Sequence, residues 1–223
     1  MANRRTATRP RLSRDAIVAS AVSLADAEGL DAVTIRRLAQ EHGVTPMAMY
    51  WHFNDKDALL DGIAEFLVAA VRLPEPGVGG WDEQLGDVLR AFLAAIQPHP
   101  AVAGLALKRI LASEPGLALA ERALTLLEEG GFAPARAAQI GRYLLCAVIT
   151  LVTSDPNPHN AADAEAREEI FRHKRAALEV LSPTRYPHVV AAAPALVGCA
   201  DPDDYFALNI DLLVQGTRGV RRT

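Results

Sequence analysis

Apolar residues recur along this chain at helical spacing from one end to the other, and no stretch alternates in the manner of a strand. Ser13 caps a first helix in which Ile17, Ala21, Leu24 and Ala25 form the apolar stripe and Gly29 the stop. Thr34 caps a second, whose Ile35, Leu38 and Ala39 share one face, and Gly43 supplies a left-handed end. Val44 plugs the turn. Thr45 then caps a third helix with Pro46 at its first position, where a missing N–H costs nothing; it is predicted to run to about His52, with Met49 inward. Asn54 opens a fourth helix carrying Leu59, Leu60, Ile63, Phe66, Leu67 and Ala70 before Pro74. At about eighteen residues it would span roughly 27 Å, enough to leave one domain and enter the next.

Residues 74–80, PEPGVGG, form a linker: no GxxxxGK follows, so the glycines read as a hinge rather than a phosphate loop. Trp81 opens an amphipathic helix through Leu85, Val88, Leu89, Phe92 and Ile96, ended by Pro98 and Pro100. Helices are predicted over 101–112 and 117–129, the latter stopped by Gly130 and Gly131, then a charged one over 164–181 and a short apolar helix or loop over 186–197. Residues 154–160 form a proline-broken loop. Residues 134–153 and 202–216 differ in being apolar around most of their circumference, and such helices need cover on two sides. The second cover is either the same pair from another subunit, in a four-helix bundle across a two-fold axis, or more of the chain's own core. The expected architecture is all-α: a basic arm (1–12), a three-helix unit (13–60) and, joined through the long fourth helix, a larger helical domain (61–223).

Helices two and three cross at a tight turn, and small Ala39 lets them approach closely, as a helix-turn-helix requires. Thr45, Met47, Ala48, Tyr50, Trp51 and His52 fall on the outward faces. The alternative is a plain three-helix bundle, in which an outward Tyr-Trp-His cluster has little to do. The segment from Leu12 to Leu60, above all YWHFNDKDALLDG at 50–62, resembles the amino-terminal domain of TetR-family transcriptional repressors. That resemblance implies a homodimer paired through carboxy-terminal helices, a palindromic DNA operator and a small-molecule effector that alters the separation of the two recognition helices from the roughly 34–36 Å that successive major grooves demand. It also aligns Arg36 with a family position that reaches a base edge.

Charge sharpens this picture. The net charge is −4, yet Arg4, Arg5, Arg9, Arg11 and Arg14 all precede the first acid, Asp15, and from residue 61 onward acids outnumber bases by 20 to 15. DNA contact is therefore confined to the amino-terminal end, where the arm is either a minor-groove or phosphate ligand or a solvated tail. The expected DNA-contacting set is Thr34, Arg36, Arg37, Thr45, Pro46, Met47, Ala48, Tyr50, Trp51, His52 and Lys56. Arg36 is expected to pair with guanine, Arg37 to touch phosphate or stay solvated, and Tyr50 and His52 to donate to phosphate oxygens. Trp51 packs either on the sugar-phosphate wall or on helix one. Lys56 stands in the first turn of a helix, where the dipole disfavours a cation unless an anion is bound too. Pro46, Met47 and Ala48 replace the polar residues usual in the family, so readout leans on Thr45, apolar contact with thymine methyls and Arg36.

The interior of the larger domain is broad and apolar, the kind that holds a small molecule between helices. Phe66, Phe92, Leu107, Tyr143, Cys146, Thr150 and Phe171 are candidates to line it, or else belong to ordinary core. The far end of the fourth helix reads Ala69, Ala70, Val71, Arg72, without the histidines of tetracycline-binding members, which argues against tetracycline and its magnesium. His99, His159, His173 and His188 show no helical pairing, and Asp201, Asp203 and Asp204 lack the rest of a calcium loop, so no metal or cofactor is expected. No GxSxG, dinucleotide loop or HExxH points to an enzyme. Cys146 and Cys199 read as reduced residues of a cytoplasmic protein, and the apolar run Leu144 to Val152, preceded by Arg142 and broken by Thr150, as a buried helix rather than a membrane span. Two functional readings remain: a ligand-responsive dimeric repressor, and a DNA-binding protein that senses nothing and acts through partner proteins.

Overall fold

A computed structural model of the chain describes residues 12–154, 164–198 and 202–220. Among the described residues are ten α-helices and no strand: α1 (Arg14–Glu28), α2 (Ile35–His42), α3 (Pro46–Tyr50), α4 (Lys56–Ala69), α5 (Trp81–Ile96), α6 (Glu114–Glu129), α7 (Pro134–Thr153), α8 (Ala164–Glu179), α9 (Pro187–Val197) and α10 (Pro202–Arg218). Short 3-10 segments occupy Leu30–Ala32 and Ala103–Lys108. The arginines of the arm up to Arg11, with residues 155–160, Cys199 and Asp201, lie outside the described residues. Arg14 is no part of an arm: it is the first residue of α1, and its guanidinium lies 4.9 Å from the ring centre of Phe53.

Local chemistry sets the helix starts. The Ser13 hydroxyl accepts from the Ala16 N–H and that of Thr34 from the Arg37 N–H, each at 3.2 Å. For α4 the cap is Asp55 rather than Asn54, its carboxylate accepting from Ala58 N at 2.7 Å. A full negative charge at a helix N-terminus is the stronger cap. This helix is also shorter than expected, 14 residues, because Ala70 and Val71 close it with tight i→i+3 bonds ahead of Pro74.

A larger departure lies after α5. Instead of a helix over 101–112, the chain makes turns around a single 3-10 segment, with successive i→i+3 bonds from Val102, Leu105, Arg109 and Ala112. Burial explains it. Val102, Ala103, Leu105, Ala106 and Ile110 are all buried between α4 and α7, which is more circumference than one amphipathic stripe covers. Helix α6 then starts at Glu114 rather than at 117, since Ser113 accepts from Gly116 N and Pro115 sits in the first turn. Gly116 is needed for close approach: a Cβ there would lie 2.2 Å from the Ile110 carbonyl oxygen.

One apolar cluster runs from Ile17 in α1 to Val214 in α10. Helix α7 is its hub, packed against α5, α6, α10 and the 103–108 segment. Taken whole, its 20 residues are long and apolar enough to cross a bilayer by length and composition, which the shorter run read from sequence understated. Yet Leu144, Leu145, Val148, Ile149 and Val152 are buried within the domain. Arg218 pairs with the buried carboxylate of Asp82, tying the last turn of α10 to the first turn of α5. The 74–80 linker is held by Gln84, whose Oε1 accepts from Gly77 N and from Arg122, while its Nε2 donates to the Gly79 carbonyl. Residues 187–197, open between helix and loop in the sequence, are helical, and α8 and α9 pack chiefly on each other.

Candidate nucleic-acid interface and ligand groove

The turn between α2 and α3 is fixed by backbone bonds. Gly43 is left-handed (φ 63°), its N–H bonds to the Gln40 carbonyl at 3.0 Å, and the Val44 N–H reaches back to Ala39 at 2.9 Å. This pairing closes the helix end and turns the chain sharply into α3. Leu38, Ala39, Met49 and Phe53, each 1% exposed or less, nail the two helices onto α1 and α4. Helix α3 itself is only five residues long. It ends at Tyr50 rather than His52, and Trp51 and His52 occupy a turn stitched by bonds from His52 and Phe53 to the Met49 carbonyl. Thr45 precedes it without a side-chain capping bond.

With Met49 buried, the residues around it point outward. Met47 is 69% and Trp51 86% exposed, and Thr45, Pro46 and Tyr50 are exposed beside them. An indole this open rules out packing of Trp51 on α1, one of the two placements expected. Arg36 and Thr34 are exposed, as is Lys56, the first residue of α4; Ala48 and His52 are half-buried. Arg37 is otherwise engaged. Its guanidinium forks onto the Glu28 carboxylate at 2.6 and 3.3 Å, and Nε meets Glu41 at 3.4 Å, so it braces α2 against the end of α1 rather than standing solvated.

Among the described residues, two polar contacts join α1 and α4 to the turns that follow α5. His99 Nδ1 lies 2.7 Å from Asp26 Oδ2 of α1, with the Phe66 ring edge-on to the imidazole at 6.2 Å. Arg109 Nη2 lies 2.6 Å from Asp61 Oδ2 of α4. Both anchors flank the 103–108 segment. The sequence reading assigned no role to Asp26, Asp61 or Arg109, because nothing local reveals a pairing 73 residues apart, as it is for Asp26 and His99.

The residues proposed for an internal cavity fall in several places among the described residues. Phe92 is fully buried core, and the Thr150 hydroxyl donates to the Cys146 carbonyl within α7 at 2.9 Å. Leu107 and Tyr143 border different cavities. Tyr143 faces one of about 380 Å³ between α7 and α10, with Leu212 and Leu213. Leu107 borders a groove of about 460 Å³ walled by Ile110 and Leu111, by Ala120, Ala123 and Leu124 of α6, and by Ala138, Gly141, Arg142 and Leu145 of α7. Phe66, Phe92, Cys146, Thr150 and Phe171 line neither. The groove had a signal in the sequence: 138, 141, 142 and 145 follow i, i+3, i+4, i+7 spacing with two small members, a face too thin to fill a core. Among the described residues no cluster of histidine, cysteine or carboxylates could hold a metal ion.

Comparison with known proteins matches both parts in order. Residues 17–63 fit the family model "Bacterial regulatory proteins, tetR family", and residues 73–221 fit "Tetracyclin repressor-like, C-terminal domain". An HTH-type transcriptional regulator from Saccharopolyspora erythraea is 29% identical over 94% of this chain and 86% of its own length. The class G tetracycline repressor protein from Vibrio anguillarum is 28% identical over 95% and 96%. Among solved structures, the Streptomyces coelicolor TetR family protein ActR in complex with actinorhodin superposes with a TM-score of 0.76 at 29% identity, covering 93% of this chain and 96% of that one. A reading head and a helical body of these two kinds, matched along almost the whole length, leave one assignment: the chain belongs to the TetR family of bacterial transcriptional regulators.

Proposed function

We propose that the protein is a ligand-responsive dimeric repressor that binds a palindromic operator and is released from it by a small molecule held in the groove between α6 and α7. The observation that carries this reading is the double engagement of residues 103–111. Leu107 and Ile110 face the groove, while Arg109, between them, holds Asp61 of α4. A ligand that displaces the groove wall therefore acts on the helix that carries the reading head. Coupling of about 1–3 kcal/mol, or 5–150-fold in operator affinity, is the usual scale of such linkage.

On DNA, Arg36 reads a base edge, and Met47, Ala48 and Pro46 press on thymine methyls. Thr45, Tyr50, His52 and Lys56 bind phosphate oxygens, Trp51 covers the sugar-phosphate wall, and Arg37 holds α2 in place. Thr34 both caps α2 and can donate its hydroxyl proton outward. Two-fold pairing uses the outer faces of α7 and α10, where Tyr143, Leu208 and Leu212 are more than half exposed and would otherwise stay wet.

The test is fluorescence anisotropy of the purified protein on the DNA immediately upstream of its own gene, titrated at fixed salt against a non-specific duplex. Two subunits per site with at least ~10³-fold preference supports the reading. Equal, weak binding to both duplexes would point instead to a protein that acts through partners.

A further inference from the structure

We propose that the groove between α6, α7 and the 103–111 segment takes an amphipathic organic anion, with its apolar body against Ile110, Leu124 and Leu145 and its acidic group on Arg142. This rests on the ligand-responsive reading above and narrows it to one chemistry. At about 460 Å³ the groove is of small-molecule size, and the short side chains of Ala120, Ala123 and Ala138 keep it open. Every lining residue but one is apolar or glycine.

The exception is Arg142, exposed at the groove wall and, among the described residues, in no hydrogen bond or ion pair. Several arginines elsewhere in the domain are engaged, Arg90 with Asp87, Arg109 with Asp61, Arg122 with Gln84 and Arg218 with Asp82, whereas Arg142 is the one charged residue on the groove lining. The domain as a whole is acidic, 20 acids to 15 bases from residue 61 onward, so it repels anions everywhere except where a cation stands unopposed. A guanidinium beside an apolar wall binds a carboxylate or sulfonate by a charge-assisted fork while the wall takes the hydrocarbon. A cationic ligand would be repelled there, and a neutral one would leave the guanidinium unused.

Two fluorescent probes that differ in one group test this: 8-anilino-1-naphthalenesulfonate and its uncharged analogue N-phenyl-1-naphthylamine, each titrated into the full-length dimer. Arg142→Gln should weaken the sulfonate about 5–10-fold and leave the neutral amine unchanged, Arg142→Lys should restore most of the loss, and Ala138→Phe should remove both probes from the groove. Because Arg142 and Ala138 are exposed, thermal melts of these variants should match the parent. Equal weakening of both probes by Arg142→Gln, or none, overturns the anion assignment. So does undiminished binding to Ala138→Phe, or binding that appears only on dilution to monomers, which would mean that a second copy occupies the groove. If the sulfonate binds as expected yet leaves the operator complex intact, the anion site stands and release by ligand falls.

Discussion

The contact between Arg109 and Asp61 offers the sharpest test of how the two parts of the molecule communicate. Their side chains are 28% and 41% exposed, so the pair is intermediate between a surface bridge, worth about 0.2–1 kcal/mol, and a buried one whose disruption costs about 3–5. The 2.6 Å Nη2–Oδ2 distance makes it a close ion pair, and Arg109 Nε is buried without a hydrogen-bond partner, so removing the carboxylate charge strands a partly desolvated cation. Asp61→Asn is therefore expected to lower unfolding free energy by about 1–2 kcal/mol. A double-mutant cycle with Arg109→Gln should return a coupling energy of about 1 kcal/mol, measured by urea unfolding at pH 7 and fixed protein concentration. The coupling should shrink as salt rises, because both partners are partly wet. If the contact also fixes the seat of the reading head, Asp61→Asn should weaken operator binding about fivefold by anisotropy. A coupling energy below about 0.3 kcal/mol, with operator affinity unchanged, would refute the idea that this pair transmits anything between domains.

Arg36→Ala should relax base preference at one position of each half-site, costing about 1–3 kcal/mol of discrimination, read by competition with single-base operator variants; an unchanged preference would remove Arg36 from base reading. Lys56→Ala should weaken every duplex about equally and lower the salt slope by roughly one unit, and a sequence-selective loss would contradict a phosphate contact. Gly116→Ala forces a methyl to within 2.2 Å of the Ile110 carbonyl, so it should destabilise the protein by more than about 3 kcal/mol in denaturant unfolding and displace the groove wall. A near-neutral effect would mean that the 110–116 turn yields more easily than its packing implies.

The reading head was the most legible part of the chain, because its specification is local. Thr34, Ala39, Gly43 and Met49 each act within one or two helical turns, and each occupies the place its chemistry predicts. Errors there were of one or two residues, at Asn54 against Asp55 and at the end of α3. The larger domain was legible as helices, and less legible in how they meet. Phe92 was open between cavity lining and core because size and apolarity suit both, and the structure buries it completely. The groove between α6 and α7 is lined by the small residues Ala120, Ala123, Ala138 and Gly141 meeting across two helices.

Composition, periodicity and caps by themselves determined an all-helical chain, a helix-turn-helix near its start, outward Met47 and Trp51, and an acidic body from residue 61 onward. These follow from interactions of short range along the chain and from net charge, which needs no coordinates. Only the tertiary structure decided that residues 103–108 wind as a 3-10 segment, that Arg37 spends its guanidinium on Glu28, and that Asp26 and Asp61 reach His99 and Arg109. Those outcomes depend on which surfaces face one another after collapse. Burial on both sides overrode the helical preference of 101–112, and polar contacts formed where carboxylates and basic side chains were brought within 3 Å.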